Sequence, residues 1–213
     1  MERNVLKKHI IKSFGEFAKN NGFFDRKGLH WYKIVDGILI AIGFECDLPG
    51  YNAGYFVQPL YEFHDFICLS YGNRIINRYS SDCKKYIIYL QDDEKTILDN
   101  LNNIENCFFN NIIPELNKIT SREFLIGVAE KNEMFLCSSF LTRLIAYSQA
   151  YCKNADIAKS YFEKYLSIVS DPPELLEDPI FMLELLNEDP EKAFAYLEND
   201  VKRSIEVLKL KVR

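Results

Sequence analysis

Two sets of side chains contain the residue types that a thiol hydrolase needs. Cys68 stands near His64 and Asp65, and Cys46 near His30 and Glu45, so each set offers a thiol, an imidazole and a carboxylate. Such groups act only when they converge in space, the base within reach of the thiol and the acid orienting the base. Neither spacing brings that about. His64 and Cys68 are four apart, which juxtaposes side chains on a helix but not where a turn runs into a strand. A buried cysteine without such partners is a small hydrophobe, and no catalytic residue is assigned. The six cysteines, at 46, 68, 83, 107, 137 and 152, show no Cys-x-x-Cys spacing, and His9, His30 and His64 are scattered. No metal site is therefore expected. Phosphate-loop, dinucleotide, nucleophile-elbow and zincin signatures are absent, and no cofactor is expected.

What remains is recognition. His30, Tyr32 and Glu45 alternate onto one face of an expected hairpin, with His64 as a further polar candidate, and aromatic side chains beside small neighbours can anchor a partner or ligand. The alternative is that C-terminal helices cover this face, making it a second core layer in which His30 and Tyr32 satisfy their own hydrogen bonds.

The element that must position these residues runs from Gly28 to Cys46, two β-branched and aromatic runs flanking Asp36-Gly37. Asp-Gly in that setting predicts a type I′ hairpin, because both central residues need positive φ. The register then sets Val35 against Ile38, Lys33 against Ile40, Trp31 against Ile42 and Leu29 against Phe44, one almost wholly apolar face. Leu6, Ile10, Phe14 and Phe17 make a helical stripe over residues 2–21, ended by Gly22, and this stripe is the expected cover for that face. A turn is expected over Asp47–Asn52, a third strand over Gly54–Tyr61 and a fourth over Phe66–Tyr71, with Gly72-Asn73 as a turn. Residues 75–90 read as either strand or helix.

From Asp92 the period becomes helical. One helix is expected to about Lys118, kinked or ended by Pro114. A second starts at the capping spacing Thr120-x-x-Glu123, a third spans 134–152, and a fourth follows Asn154 to Val169. Asp171-Pro172-Pro173 is expected to break the pattern, and Asp178-Pro179 and Asp189-Pro190 each to start a helix, the last running close to Arg213. The expected fold is α+β: an N-terminal helix on an antiparallel sheet of four or five strands (residues 1–90), then a helical portion (91–213) packed on it or continuous with it.

Lys+Arg 26 against Asp+Glu 31 gives a net charge of -5, which argues against nucleic acid as a partner. The pairs Lys7-Lys8, Arg26-Lys27 and Lys84-Lys85 read as solvated surface. The longest apolar run, Ile38 to Phe44, is too short to span a membrane, so a cytoplasmic protein with free thiols is expected; oligomeric state is left open. The opening helix, Gly22-Phe23-Phe24, Arg26-Lys27, Gly28, the strand Trp31-Tyr32 and the strand Ile38–Phe44 together resemble the start of a bacterial family of domains of unknown function. That resemblance covers roughly the first ninety residues and implies an α+β fold without catalytic residues. It is consistent with a non-enzymatic protein-binding protein of accessory or immunity-like type; the competing reading is a small-molecule-binding protein or enzyme with its site between sheet and helices.

Overall fold

In the computed structural model, which describes residues 3–47, 50–67, 71–79, 82–131, 138–169 and 173–212, Asp36 (φ 49°) and Gly37 (φ 74°) reverse the chain as their types require. They join strands β2 (His30–Val35) and β3 (Ile38–Asp47). The Phe44 N–H donates to the Leu29 carbonyl at 3.1 Å, which is the register inferred from the turn. The fold is α+β, with the N-terminal helix first, the antiparallel sheet next and a helical C-terminal half. Strands β1 (Asp25–Lys27), β2, β3, β4 (Gly50–Pro59) and β5 (Gly72–Arg74) lie side by side in that order, and β6 (Ile87–Tyr89) also pairs with β4.

Three strand expectations need correction. Gly50–Asn52 are strand rather than turn, because they pair with Ile87–Tyr89 of β6; of the ambiguous stretch 75–90, residues 87–89 are thus strand, while 75–78 and 83–86 are helical. The strand expected over 66–71 does not form at Phe66, Ile67 or Tyr71, and residues 68–70, Cys68 among them, lie outside the described residues. Its place is taken by Gly72–Arg74, where Gly72-Asn73 were expected to be a turn. Gly72 sits against Phe56 and Asn73 against Tyr55, and the close backbone approach there leaves no room for a side chain at 72. The turn residues Leu48 and Pro49 also lie outside the described residues.

Two compact units make up the chain, one of residues 1–33, 40–57 and 72–118, the other of residues 34–39, 58–71 and 119–213. In the first, helix α1 (Arg3–Asn20) buries Leu6, Ile10, Phe14 and Ala18. Its end is a Schellman motif: Gly22 (φ 88°) permits the Phe23 N–H to reach the Ala18 carbonyl at 3.0 Å and the Gly22 N–H the Lys19 carbonyl at 3.1 Å. Phe14 meets Trp31 at 5.2 Å and Phe44 at 4.9 Å between ring centroids, so α1 covers the apolar hairpin face as expected. Burying Leu6, Ile10 and Phe14 contributes roughly 1.5–3 kcal/mol each. Two short helices, α2 (Ile75–Arg78) and α3 (Cys83–Tyr86), precede β6. Helix α4 (Glu94–Cys107) belongs to this unit, capped by Asp93, which accepts from the Thr96 N–H at 2.7 Å. A π-helical turn, Phe108–Ile112, and the short α5 (Ile113–Leu116) follow. The widened turn precedes Pro114, whose missing N–H cannot continue the α ladder.

The second unit takes the hairpin tip. It contains α6 (Arg122–Lys131), α7 (Ser138–Tyr151), α8 (Ala155–Ile168), α9 (Pro173–Glu188) and α10 (Pro190–Val207). Thr120 does not cap α6; the cap position is Ser121, whose carbonyl accepts from the Leu125 N–H at 3.0 Å. The start of the expected third helix and the break at 171–172 fall on residues 132–137 and 170–172, outside those described. No helix starts at Asp178-Pro179: α9 runs through Pro179. The buried side chains of Met182, Leu185 and Leu186 hold it together on the far side of the proline, and the Asp178 carboxylate accepts from the Tyr147 hydroxyl instead of capping. Asp189 does cap α10, accepting from the Lys192 N–H at 3.1 Å, and that helix ends at Val207 rather than near 213. Among the described residues no helix is long and apolar enough to cross a membrane.

Candidate functional site

Of the four residues singled out for binding, His30, Tyr32 and Glu45 lie in the first unit and do not form an exposed surface there. Tyr32 is buried. His30 is half-buried with its ring edge-on to Phe56 at 5.3 Å, and burial, opposed by the Glu45 charge, holds its imidazole below the ordinary range. Glu45 accepts from Arg74 Nη2 at 2.6 Å and Nε at 2.9 Å, while Arg74 Nη1 reaches Asp47 at 2.6 Å. These three therefore do the work of packing and pairing within the sheet.

His64 lies in the second unit, in a buried polar cluster that no sequence motif announces. Glu62, on the segment after β4, is 1% exposed. Its Oε2 accepts from the Tyr71 hydroxyl at 2.8 Å, its Oε1 lies 3.2 Å from His64 Nε2, and Arg143 Nε of α7 stands 2.7 Å from the same oxygen. Burial alone would raise the Glu62 pKa. Arg143, His64 and Tyr71 outweigh it and hold the carboxyl at about 2. The Arg143 guanidinium also stands over Tyr147 and Tyr165, at 5.6 and 5.9 Å from their ring centroids. A carboxylate held so far down is a poor proton acceptor at neutral pH, so this cluster anchors helices rather than moving protons.

The described thiols Cys107 and Cys152 are no better placed for chemistry. Burial raises the Cys107 pKa, and burial with the Glu123 charge pushes Cys152 up to about 12, the reverse of what a nucleophile needs. Cys46 is exposed, but its neighbour Glu45 is engaged by Arg74. Among the described residues no group of three His, Cys, Asp or Glu side chains is placed to hold a metal ion.

A concave site does exist in the first unit, a groove of about 430 Å³ between α1 and the start of the sheet. The face of α1 opposite its buried stripe supplies Lys12, Glu16 and Lys19, β1 supplies Arg26, and Trp31 forms the floor. Gly15 admits the indole, since a Cβ there would already stand 3.4 Å from the Trp31 ring. Phe24 lies at the rim, 52% exposed. Lys12, Lys19 and Arg26 have no ion pair among the described residues, and Arg26 donates to the Gly28 carbonyl, which holds its side chain beside the strand. Three cations thus face one carboxylate in a chain of net charge -5. The volume falls within the range of ligand-binding clefts, roughly 300–1,000 Å³.

In the sequence Lys12, Glu16 and Lys19 only stand elsewhere around the helical wheel from the apolar stripe, and Arg26-Lys27 reads as solvated surface. The available signal was that Lys12, Glu16 and Lys19 recur at helical spacing on one side; what it lacked was knowledge that β1 pairs with β2 to bring Arg26 opposite Trp31. A second, shallower hollow of about 270 Å³ is lined by Tyr79, Tyr86 and the asparagines 103, 106, 110 and 111 at the π-helical turn. Comparison with family models, with curated proteins and with solved structures gives no match.

Proposed function

We propose that this chain is a non-enzymatic protein-binding protein of accessory, immunity-like type, with the α1–β1 groove as its contact site. The observation that carries the reading is the groove itself: Lys12, Lys19 and Arg26, without ion pairs among the described residues, around the buried Trp31, with an exposed phenylalanine at the rim. Aromatic and arginine side chains in a concave setting are what protein contacts are built on. Neither Glu62, held down to about 2, nor Cys152, pushed up to about 12, suits proton transfer or nucleophilic attack at neutral pH. A cytoplasmic setting goes with it, since Cys46, Cys83, Cys107 and Cys152 are free thiols. The test is affinity capture with the full chain from native lysate, followed by reconstitution with the purified partner. A defined complex re-formed from purified components is the expected result. Failure of every captured protein to rebind the purified chain would overturn the reading.

A further inference from the structure

Resting on that protein-binding reading, we infer that the groove takes an extended acidic segment of the partner, laid between α1 and the outer edge of β1. The first argument is backbone geometry. Leu29 and Phe44 form a hydrogen-bonded pair, so by the alternation of antiparallel ladders Trp31 directs its N–H and C=O toward β3. Arg26, opposite Trp31, is then in a non-hydrogen-bonded pair, and its own N–H and C=O point away from β2. Because β1 ends the sheet, these groups are offered to an added strand, the mode by which extended peptides join sheet edges.

The second argument is charge. Lys12, Lys19 and Arg26 flank the groove without ion pairs among the described residues, against the single carboxylate of Glu16. Short, charged edge strands also serve to repel unwanted pairing, and Arg26 and Lys27 would do so toward a basic strand. Toward an acidic one the same charges attract, so the edge is selective rather than closed. The third argument is shape. Beside the buried Trp31 beneath Gly15, Phe24, 52% exposed at the rim, gives an apolar contact for a large side chain of the incoming segment. Its flanking carboxylates would lie toward Lys12 and Lys19 on one wall and Arg26 on the other.

The experiment uses the full chain and an array of randomised ten-residue peptides with a fixed central Phe. Trp31 is the chain's one tryptophan, so its emission reports directly on the groove. Expected are enrichment of Asp and Glu beside the Phe, a change in Trp31 emission when an enriched peptide binds, weakening at higher salt, and at least about tenfold weaker binding by the Lys12→Glu/Lys19→Glu variant. Both lysines are exposed on α1, so the variant folds, which its circular dichroism checks. The inference is overturned if acidic residues are not enriched, if binding survives the double charge reversal, or if Trp31 emission is unmoved. Equal binding of free phenylacetate, assigning the groove to a small organic anion, also overturns it. If any of these occurs while the reconstituted complex stands, only the groove assignment fails; if the complex also fails, the protein-binding reading falls with it.

Discussion

Replacing Arg143 by Met tests the central polar cluster of the second unit. In the native protein Glu62 is held near pKa 2 against an ordinary 4.5. At about 1.4 kcal/mol per unit this corresponds to about 3 kcal/mol of folding free energy. Because the folded-state pKa is the lower one, that contribution is present above pH 4.5 and is lost as the pH falls through about 2. Met fills much of the volume of the arginine stem but leaves Glu62 buried with only Tyr71 and His64 as partners. Breaking a buried pair from one side costs about 3–5 kcal/mol at neutral pH. With a urea m-value of roughly 2 kcal/mol per molar, the unfolding midpoint should fall by roughly 1.5–2.5 M. At pH 4 the carboxyl of the variant takes up a proton and the deficit should shrink. The double variant Glu62→Gln/Arg143→Met, which removes both charges, should recover more than half of the loss. A deficit below about 1 kcal/mol at pH 7, or one equal at pH 4 and pH 7, would refute the claim that paired charge holds this cluster.

Two further outcomes follow from other buried groups. Burial and the neighbouring Asp178, opposed by Arg203, push the Asp200 carboxyl up to about 6, so its ionisation works against the fold as the pH rises from about 4 through 6. Asp200→Asn should then raise the unfolding free energy at pH 7 by an amount on the order of 2 kcal/mol, roughly 1 M in urea midpoint, and leave both nearly unchanged at pH 4; equal effects at both pH values would count against it. For the thiols, a disulfide reagent at pH 8 followed by peptide mapping should label the exposed Cys46 and Cys83 well before Cys107 and Cys152, whose pKa values burial raises. Early labelling of Cys152 would contradict its placement beside Glu123.

Local chemistry in the sequence determined the elements whose cause is local. Asp36-Gly37 needs positive φ and makes the hairpin, Gly22 ends α1 because only glycine readily turns left there, and Asp93 and Asp189 cap helices because their carboxylates reach N–H groups three residues on. The periodicity of α1 and the register set by Asp36-Gly37 likewise named the layers that meet at Phe14, Trp31 and Phe44. Tertiary structure alone decided matters whose partners are far apart in the chain. Asp178 became the acceptor of Tyr147 instead of a cap, and Glu62 met Arg143 across about eighty residues of sequence. Likewise Arg26 reached the groove wall only once β1 had paired with β2. A turn or a cap involves a few neighbouring residues, so its energy can be read from their types. A buried ion pair or a groove depends on which distant surfaces close on one another, and no window of sequence contains that.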